Sequence, residues 1–283
     1  TLNLTISEKQ KLRRLLEENY LPKNRVYRYN FFYDNCTTRA RDIIEKCIEG
    51  KVVYSEGKER LSFRDIVHQY TKGHEWDELG IDMCLGSEAD KPIDTRKQMF
   101  APFYMLEAAK KATIVVGDSV RPLILHEKKV VDVEPEDVRE GFPLSPMVCV
   151  FILIGVTCFV GWLQFKIRKI IWIWDLLLFG VQGLAGCVIT FLVFFSTHPT
   201  VGSNWLILLL NPIPLIYLPV MVYRAIKGKK DYYHTINIVC LTSFMMIMPF
   251  IQQKFNVTVL PLALCLLICS ANHVLLYYRQ NNK

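Results

Sequence analysis

Acidic side chains are almost absent from the second half of this 283-residue sequence, where Asp175 and Asp231 are the only ones after residue 143. Basic residues are present in that half, so the formal net charge of +7 arises in a region that is otherwise mostly apolar. A nucleic-acid-binding protein would instead carry a basic patch on a polar surface. The sequence therefore gives no reason to expect a nucleic-acid partner.

Paired cysteines are also lacking, since none of the nine cysteines belongs to a C-x-x-C motif. Most of them lie in apolar segments, where cysteine behaves as a small hydrophobic residue. Cys36, Cys47 and Cys84 remain in the polar half, and an odd number gives no disulfide framework. We predict neither a metal site nor a cofactor.

The second half contains five apolar segments in succession, each about the 20 residues that cross a bilayer. Buried helices of a globular protein are the alternative, but the segments are nearly free of charge and the loops between them are short. We therefore predict a transmembrane domain over 144–283 that lies in the lipid bilayer. Its five helices are predicted at about 146–165, 171–196, 204–223, 233–252 and 256–278.

Basic residues alternate between the two ends of these segments. They cluster in 166–169, 224–230 and 279–283, whereas the other two loops contain only Lys254. Because basic loops stay in the cytoplasm, the C-terminus is predicted to be cytoplasmic. An odd number of spans then places residues 1–143 outside the cytoplasm.

Polar residues inside the segments are few. Asp175 is expected near the cytoplasmic end of its helix, within reach of Lys169, and His273 is the other ionisable candidate. A proton or ion path would need several such groups at mid-depth, so transport is not favoured. Asn211 and Pro212 are expected to kink the third helix.

The first half mixes helix and strand patterns. We predict a capping box with Ser7 as the N-cap and Gln10 three residues later, before an apolar helical face. The whole of 1–133 is predicted to be one extracytoplasmic domain, and 134–143, with two prolines, its linker. Further helices are predicted at 37–49, 62–70 and 99–112, and strands at 25–32, 52–54, 113–116, 120–125 and 130–133.

Cys36 is predicted to lie in the first turn of the helix that follows the aromatic run 29–33. Unpaired N–H groups and the helix dipole favour a thiolate at that position, so we interpret Cys36 as a nucleophile. An inert, partly buried thiol is the alternative. A nucleophilic cysteine also needs a base, and His126, on a predicted strand, and His74, in a turn, are the candidates.

The stretch Tyr-Asn-Phe-Phe-Tyr-Asp-Asn-Cys-Thr-Thr-Arg-x-Arg-Asp at 29–42 resembles the signature of the Lnb-type lipoprotein N-acyltransferases of the Bacteroidetes. Gly-Ile-Asp-Met-Cys-Leu-Gly-Ser-x-x-Asp at 80–90 and Met-Phe-Ala-Pro at 99–102 resemble two further blocks of that family. The five-span second half is similar to its membrane domain. The resemblance covers almost the whole chain.

This resemblance implies an α+β permuted papain-like fold, related to NlpC/P60 enzymes, in front of an all-α transmembrane domain. In that order the catalytic histidine precedes the cysteine, and no histidine precedes Cys36 here. Thr1 already begins in the middle of a pattern. We therefore expect the chain to be truncated at its N-terminus and to be inactive by itself.

The implied activity is acyl transfer through a Cys36 thioester, from a membrane phospholipid to the N-terminal amine of diacylglyceryl-cysteine lipoproteins. Asn35 would support the oxyanion or cap the helix. Arg39 and Arg41 would contact a lipid phosphate or pair with neighbouring carboxylates. The implied location is the bacterial inner membrane, with residues 1–143 periplasmic.

Two other functions fit the same residues. A membrane-tethered cysteine peptidase or amidase acting on cell-wall peptides would use the same nucleophile, although such an enzyme rarely needs five spans. A non-catalytic assembly or sensor protein would leave Cys36 with a structural role only. A lipid donor and a lipid-anchored acceptor both require placement at the membrane, which favours the acyltransferase.

Overall fold

The computed structural model describes residues 1–55, 57, 60–131 and 142–281. Their contacts divide the chain into two compact units, one from 1–67 with 91–139 and one from 68–90 with 140–283. Residues 68–90 thus belong with the membrane helices, although 1–133 was predicted as a single extracytoplasmic domain. The predicted linker at 134–143 and the end of the predicted strand at 130–133 lie mostly outside the described residues.

The first unit combines helices with a small sheet. The helix at Phe63–Thr71 crosses the boundary, because its residues after Val67 belong to the second unit. The helices of this part are α1 (Ile6–Tyr20), α2 (Cys36–Cys47), α3 (Phe63–Thr71), α5 (Thr95–Gln98) and α6 (Pro102–Lys111), and α4 (Glu75–Cys84) lies in the second unit.

The sheet of the first unit has three antiparallel strands in the order β1 (Lys51–Val53), β2 (Thr113–Val116) and β3 (Ser119–Pro122). The register pairs Val52 with Ile114 and Ile114 with Arg121. Ile114 on the central strand is fully buried and joins a core with Cys47, Ile48 and Leu123. The predicted α+β character is thus present here, while the permuted papain-like arrangement stays a prediction.

A buried carboxylate joins α1 to this sheet. Thr5, not Ser7, is the N-cap of α1, because its hydroxyl accepts the Glu8 N–H and the Glu8 side chain accepts the Thr5 N–H. Glu8 is completely buried and forms an ion pair with Arg121 of β3 at 2.6 Å. The Glu49 N–H also donates to the Glu8 carboxylate, at 2.9 Å. The predicted Ser7 capping box was therefore wrong by two residues.

The aromatic run before Cys36 is a turn. The N–H and carbonyl groups of Asn30 and Asp34 exchange two hydrogen bonds of 3.0 and 2.9 Å, and the Asn30 side chain accepts the N–H groups of Phe32 and Tyr33. The predicted strand at 25–32 is therefore wrong, because the backbone in the described residues folds back on itself at Asn30. β-prone aromatic residues serve packing here instead of a strand.

The second unit contains five helical segments long and apolar enough to cross a membrane, as predicted. Three of them are single α-helices. The third combines a short 3₁₀ turn at Trp205–Leu208 with an α-helix, and the fourth continues from its α-helix into a 3₁₀ turn at Met248–Phe250. The α-helices are α7 (Pro146–Ile167), α8 (Trp172–Phe194), α9 (Ile213–Ile226), α10 (Tyr232–Ile247) and α11 (Val259–Asn281).

The third span is broken at Asn211 and Pro212, between the 3₁₀ turn and α9. Helix α8 packs tightly against this break. A Cβ atom on Gly186 would lie 2.2 Å from the Asn211 carbonyl carbon, and one on Gly183 would lie 2.5 Å from the Cβ of Leu215. Small residues therefore let two spans approach backbone to backbone, which is how helices associate without a hydrophobic driving force between them.

Residues 85–90 follow α4 and are hydrogen-bonded to two connections between spans. The Gly86 N–H donates to Thr200 at 2.7 Å and the Ser87 N–H to Ser203 at 3.1 Å. Asp90 accepts the Lys254 N–H from the connection between α10 and α11. The block at 80–90 is therefore a structural part of the membrane unit.

Candidate active site around Cys36

Cys36 is the first residue of α2, one residue earlier than the predicted helix start. Asn35 is the N-cap, and its side-chain oxygen accepts the N–H groups of Thr37 and Thr38, both at 2.9 Å. The Thr38 hydroxyl accepts the Asn35 N–H in return. These reciprocal bonds fix the first turn of the helix and thereby the backbone of Cys36.

The Cys36 N–H is left free by this arrangement. Thr37, Thr38 and Arg39 direct their N–H groups at the side chain or the carbonyl of Asn35, whereas the Cys36 N–H makes no hydrogen bond within the described residues. The thiol next to it is exposed and in the free state. A carbonyl oxygen at the thiol would therefore meet a free N–H and the positive end of a helix.

A cluster of buried aromatic side chains lies next to this turn. Phe32, Phe63 and Phe100 are all buried, with ring centroids 4.5 to 5.3 Å apart. The side-chain N–H₂ group of Asn35 donates to the carbonyls of Phe31 and Phe100, both at 2.9 Å. The blocks at 29–42 and 99–102 are thus parts of one structure around the thiol.

Tyr29 is an ionisable group close enough to the thiol for the charges of the two groups to interact. Partial burial raises the pKa of the Tyr29 phenol, and the charges of Cys36 and Tyr27 add to the increase. The phenol therefore stays protonated and can donate a hydrogen bond at neutral pH. Sequence reasoning treated Tyr29 only as part of an aromatic run.

Both predicted phosphate-binding arginines are engaged in ion pairs. Arg39 binds Asp34 through two hydrogen bonds of 2.7 and 2.9 Å and stacks 3.3 Å from the centre of the Tyr27 ring. Arg41 is nearly buried and binds Asp42 at 2.7 Å and the carbonyl of Arg96 at 2.8 Å. Of the two roles left open by the sequence, the geometry provides pairing with carboxylates.

His126 and His74 are the two predicted bases. Within the described residues, neither of them forms a hydrogen bond with the Cys36 thiol. His126 lies beyond β3 in an exposed irregular segment, where its carbonyl accepts the Thr1 ammonium, so its predicted strand position was wrong. His74 belongs to the second unit and precedes α4 as its N-cap residue, without a side-chain cap.

The second unit has its own histidine–carboxylate cluster. His68 Nε2 lies 2.8 Å from Asp82, whose other oxygen accepts the Asn256 side-chain N–H at 3.0 Å. Glu78 lies close to both, and the ligand atoms of the three residues are within 4.8 Å of one another. Glu78 also accepts the Thr71 hydroxyl. These three residues could hold a divalent cation, but their protein partners already explain the arrangement.

Sequence reasoning took His68 to be a solvated surface histidine, and this was wrong because Asp82 is buried beside it. A second cluster was also missed: Asp175 is completely buried and bonds His273 of α11 at 2.5 Å, not Lys169. The His273 ring stacks on His234 at 3.8 Å between centroids. No local pattern signals these pairs, since their members lie 14 and 98 residues apart.

The membrane unit defines the class of this protein, because its five apolar helices make it a multi-pass membrane protein. The family model of the Lnb transmembrane domain matches residues 137–281, and that of the Lnb N-terminal periplasmic domain matches residues 1–72. The chain belongs to the Lnb family, which confirms the resemblance. Membership indicates a membrane enzyme of lipoprotein maturation with a periplasmic domain. Comparisons with curated proteins and with solved structures found no match.

Proposed function

We propose that this protein is a thiol-dependent N-acyltransferase that moves a fatty acyl chain from a membrane phospholipid to the N-terminal amine of diacylglyceryl-cysteine lipoproteins. The observation that carries the proposal is the exposed Cys36 thiol beside its own free N–H at the start of α2. Acyl transfer needs a nucleophile and an oxyanion donor next to each other, and this turn supplies both.

In the first step the Cys36 thiolate attacks an ester carbonyl of the phospholipid. The new C–S bond forms as the carbonyl oxygen takes up negative charge, which the Cys36 N–H and the N-terminus of α2 stabilise. The ester C–O bond then breaks, and the lysophospholipid leaves as an alcohol after taking up a proton. The acyl chain remains on Cys36 as a thioester.

In the second step the α-amine of the lipoprotein attacks the thioester. A C–N bond forms, the C–S bond breaks, and the amine loses a proton, so the thiol is regenerated and the product is an amide. A thioester suits this step because it acylates amines more readily than an oxygen ester does. Removal of either partner of the Asn35–Thr38 capping box would loosen the geometry of both steps.

The membrane placement supports the same proposal. The donor is a membrane lipid and the acceptor is a protein anchored by its lipid, so an enzyme that uses them has reason to carry a multi-pass membrane unit. The distribution of basic loops supports a periplasmic location for residues 1–143 and a cytoplasmic C-terminus in the inner membrane.

The direct test is mass spectrometry of the full-length protein isolated from bacterial membranes. We expect an acyl adduct on the Cys36 peptide that hydroxylamine removes, and its loss in a Cys36→Ser variant. Cys84→Ala is the matched control and should keep the adduct, because Cys84 lies in α4 of the other unit. Absence of any adduct from the wild-type protein, or an adduct that persists in Cys36→Ser, would contradict the proposal. Cleavage of cell-wall peptide in its place would favour the peptidase.

A further inference from the structure

A groove of about 380 Å³ runs along α8 inside the membrane unit. Trp174 and Ala185 mark its two ends, eleven residues apart, which corresponds to about 16 Å along an α-helix. The opposite wall contains Leu153 of α7 and Leu266 of α11. We call this surface the α8 groove. Its shape is long and narrow, as an extended hydrocarbon chain is.

The lining of the α8 groove is almost entirely apolar. Trp174 and Gln182 are the lining residues whose side chains carry polar atoms, but these atoms are not exposed in the groove; the other lining side chains are aliphatic or belong to Met83. Apolar cavities of this kind do not hold water, and an empty one forfeits dispersion contacts around its whole surface. In a membrane the abundant molecule that can supply those contacts is a lipid acyl chain.

The groove is open at one side of α8. Leu177 and Val181 line it and are more than half exposed, at 56% and 65%, so they form an edge that faces the bilayer. A chain could therefore enter sideways from the lipid phase without passing through water. A lateral entrance of this kind suits a membrane lipid and excludes a water-soluble ligand.

Gln182 is the amide residue of the lining. Gln182 is buried, and its N–H₂ group donates to the Leu209 carbonyl at 2.8 Å next to the break in the third span. Its carbonyl oxygen, like the indole N–H of Trp174, has no hydrogen-bond partner within the described residues. Both atoms are buried and do not reach the surface of the groove, so the groove presents only apolar atoms to a ligand.

One end of the groove is formed by a segment outside the spans. Met83 of α4 lines it, and the carbonyl of Met83 accepts the Asn204 side-chain N–H at 2.7 Å. This bond fixes α4 at the start of the third span. The groove therefore ends at the block 80–90, which belongs to the part of the chain that precedes the membrane domain in sequence.

We propose that the α8 groove binds one acyl chain of a membrane glycerophospholipid and is the donor-lipid site of the enzyme. The inference rests on the proposed function for the role of that lipid as acyl donor. The binding itself rests on the volume, the apolar lining and the lateral opening. It gives the membrane unit a part in substrate binding beyond anchoring.

The test uses the full chain in nanodiscs of phosphatidylethanolamine and phosphatidylglycerol, followed by native mass spectrometry in a delipidating detergent. We expect one phospholipid to remain bound to the wild-type protein. Val181→Trp fills the groove and should reduce the retained lipid and the yield of acyl-Cys36 by about tenfold or more. Leu184→Trp is the matched control, since Leu184 is also exposed on α8 but does not line the groove, and it should retain both.

A second variant protects the test against misfolding. Ala185→Leu fills only one end of the groove, with a side chain smaller than tryptophan. It should therefore weaken lipid retention less than Val181→Trp does. The proposal is overturned if the wild-type protein retains no lipid, or if both tryptophan variants lose the lipid equally. It is also overturned if the wild-type protein is a dimer that Val181→Trp dissociates, because a second copy of the chain would then occupy the groove. A protein that retains the lipid but never forms acyl-Cys36 would leave the groove intact and refute the proposed function.

Discussion

Different kinds of contact stabilise the interior of each of the two units. In the first unit a buried carboxylate, a capped helix and an aromatic cluster fix the positions of the backbone around the sheet and around Cys36. In the membrane unit, glycines bring backbones together, and amide side chains such as Gln182 and Gln253 join them by hydrogen bonds.

The physical reason for this difference is the solvent. In water, burial of apolar and aromatic side chains drives folding, and an ion pair can be tolerated inside if hydrogen bonds complete it. In lipid, apolar burial gains little, so close backbone packing and hydrogen bonds between helices do the work. The three blocks that resemble the family therefore have different places: 29–42 and 99–102 build the thiol site, while 80–90 belongs to the membrane unit.

The largest effect is expected from Glu8→Ala. This change leaves the Arg121 guanidinium and the N–H groups of Thr5 and Glu49 without their acceptor, and breaking a buried pair in this way costs about 3–5 kcal/mol. Hydrogen exchange in the full-length protein should accelerate in α1 and β3. Tryptophan fluorescence should not change, because all five tryptophans lie in the membrane unit.

Glu17→Ala is the control on the same helix, since Glu17 pairs with Arg13 at the surface and the loss of such an exposed pair should leave the stability nearly unchanged. Equal exchange in the two variants would show that the Glu8 pair is not what holds the first unit together.

The same pair predicts a pH dependence confined to the first unit. Burial tends to raise the pKa of Glu8, but the N–H groups of Thr5 and Glu49 and the Arg121 guanidinium outweigh it and hold the pKa below its usual value of 4.5. The stabilisation is therefore complete above pH 4.5 and is lost as the pH falls through the lower folded value. Exchange in α1 should rise in acid in the wild-type protein but not in Glu8→Gln.

The contacts of the membrane unit are tested by Gly86→Ala. Its Cβ would lie 2.6–2.8 Å from backbone atoms of Ser203 and Asn204, and overpacking against rigid backbone costs about 1–3 kcal/mol. Exchange should accelerate at 85–90 and at 200–204 while α2 stays protected. Gly80→Ala is the matched control, because nothing lies within 4 Å of its Cβ and a helical alanine should stabilise α4 by about 1 kcal/mol.

Local patterns predicted much of this structure. The five spans, the break at Asn211 and the helix that begins at Cys36 follow from periodicity, hydropathy and capping chemistry, which act over a few residues. The Thr5–Glu8 capping box also has a local signal, because Thr5 is followed three residues later by Glu8. This box lies two residues closer to the N-terminus than the predicted one at Ser7.

Other parts of the site could not be predicted because they depend on contacts between distant residues. The strand predicted at 25–32 included the start of the turn at 30–34, since aromatic residues favour strands and the hydrogen bonds of Asn30 with its neighbours leave no periodic signal. Asn35 was recognised as a cap, but its bonds to Phe100, 65 residues away, were not. The pairs of Asp82 and Asp175 with histidines likewise join elements that only the fold brings together.

A smaller effect is expected from Asn35→Ala at the thiol site. Loss of an N-cap costs about 0.5–2 kcal/mol, and the carbonyls of Phe31 and Phe100 also lose their donor. Hydrogen exchange should rise in the first turn of α2. The yield of acyl-Cys36 should fall, because the Cys36 thiol and the Cys36 N–H lose their fixed position. Asn35→Asp restores the cap acceptor but not the donor, so it should recover α2 protection more fully than acylation.

The smallest perturbation is a chemical label, which compares thiols without changing the sequence. Cys36 is exposed, whereas burial raises the pKa of Cys84, and burial together with the Glu8 charge raises that of Cys47. Because the thiolate is the reactive form, a short iodoacetamide pulse at pH 7 should modify Cys36 first. Raising the pH toward 9 should increase labelling of the partly exposed Cys84, while Cys47 stays protected until the first unit opens, as in Glu8→Ala. Peptide mass spectrometry measures the labelling of all three cysteines at once. If Cys84 is labelled as fast as Cys36 at pH 7, the structure does not distinguish a reactive thiol at Cys36 from a packed thiol at Cys84.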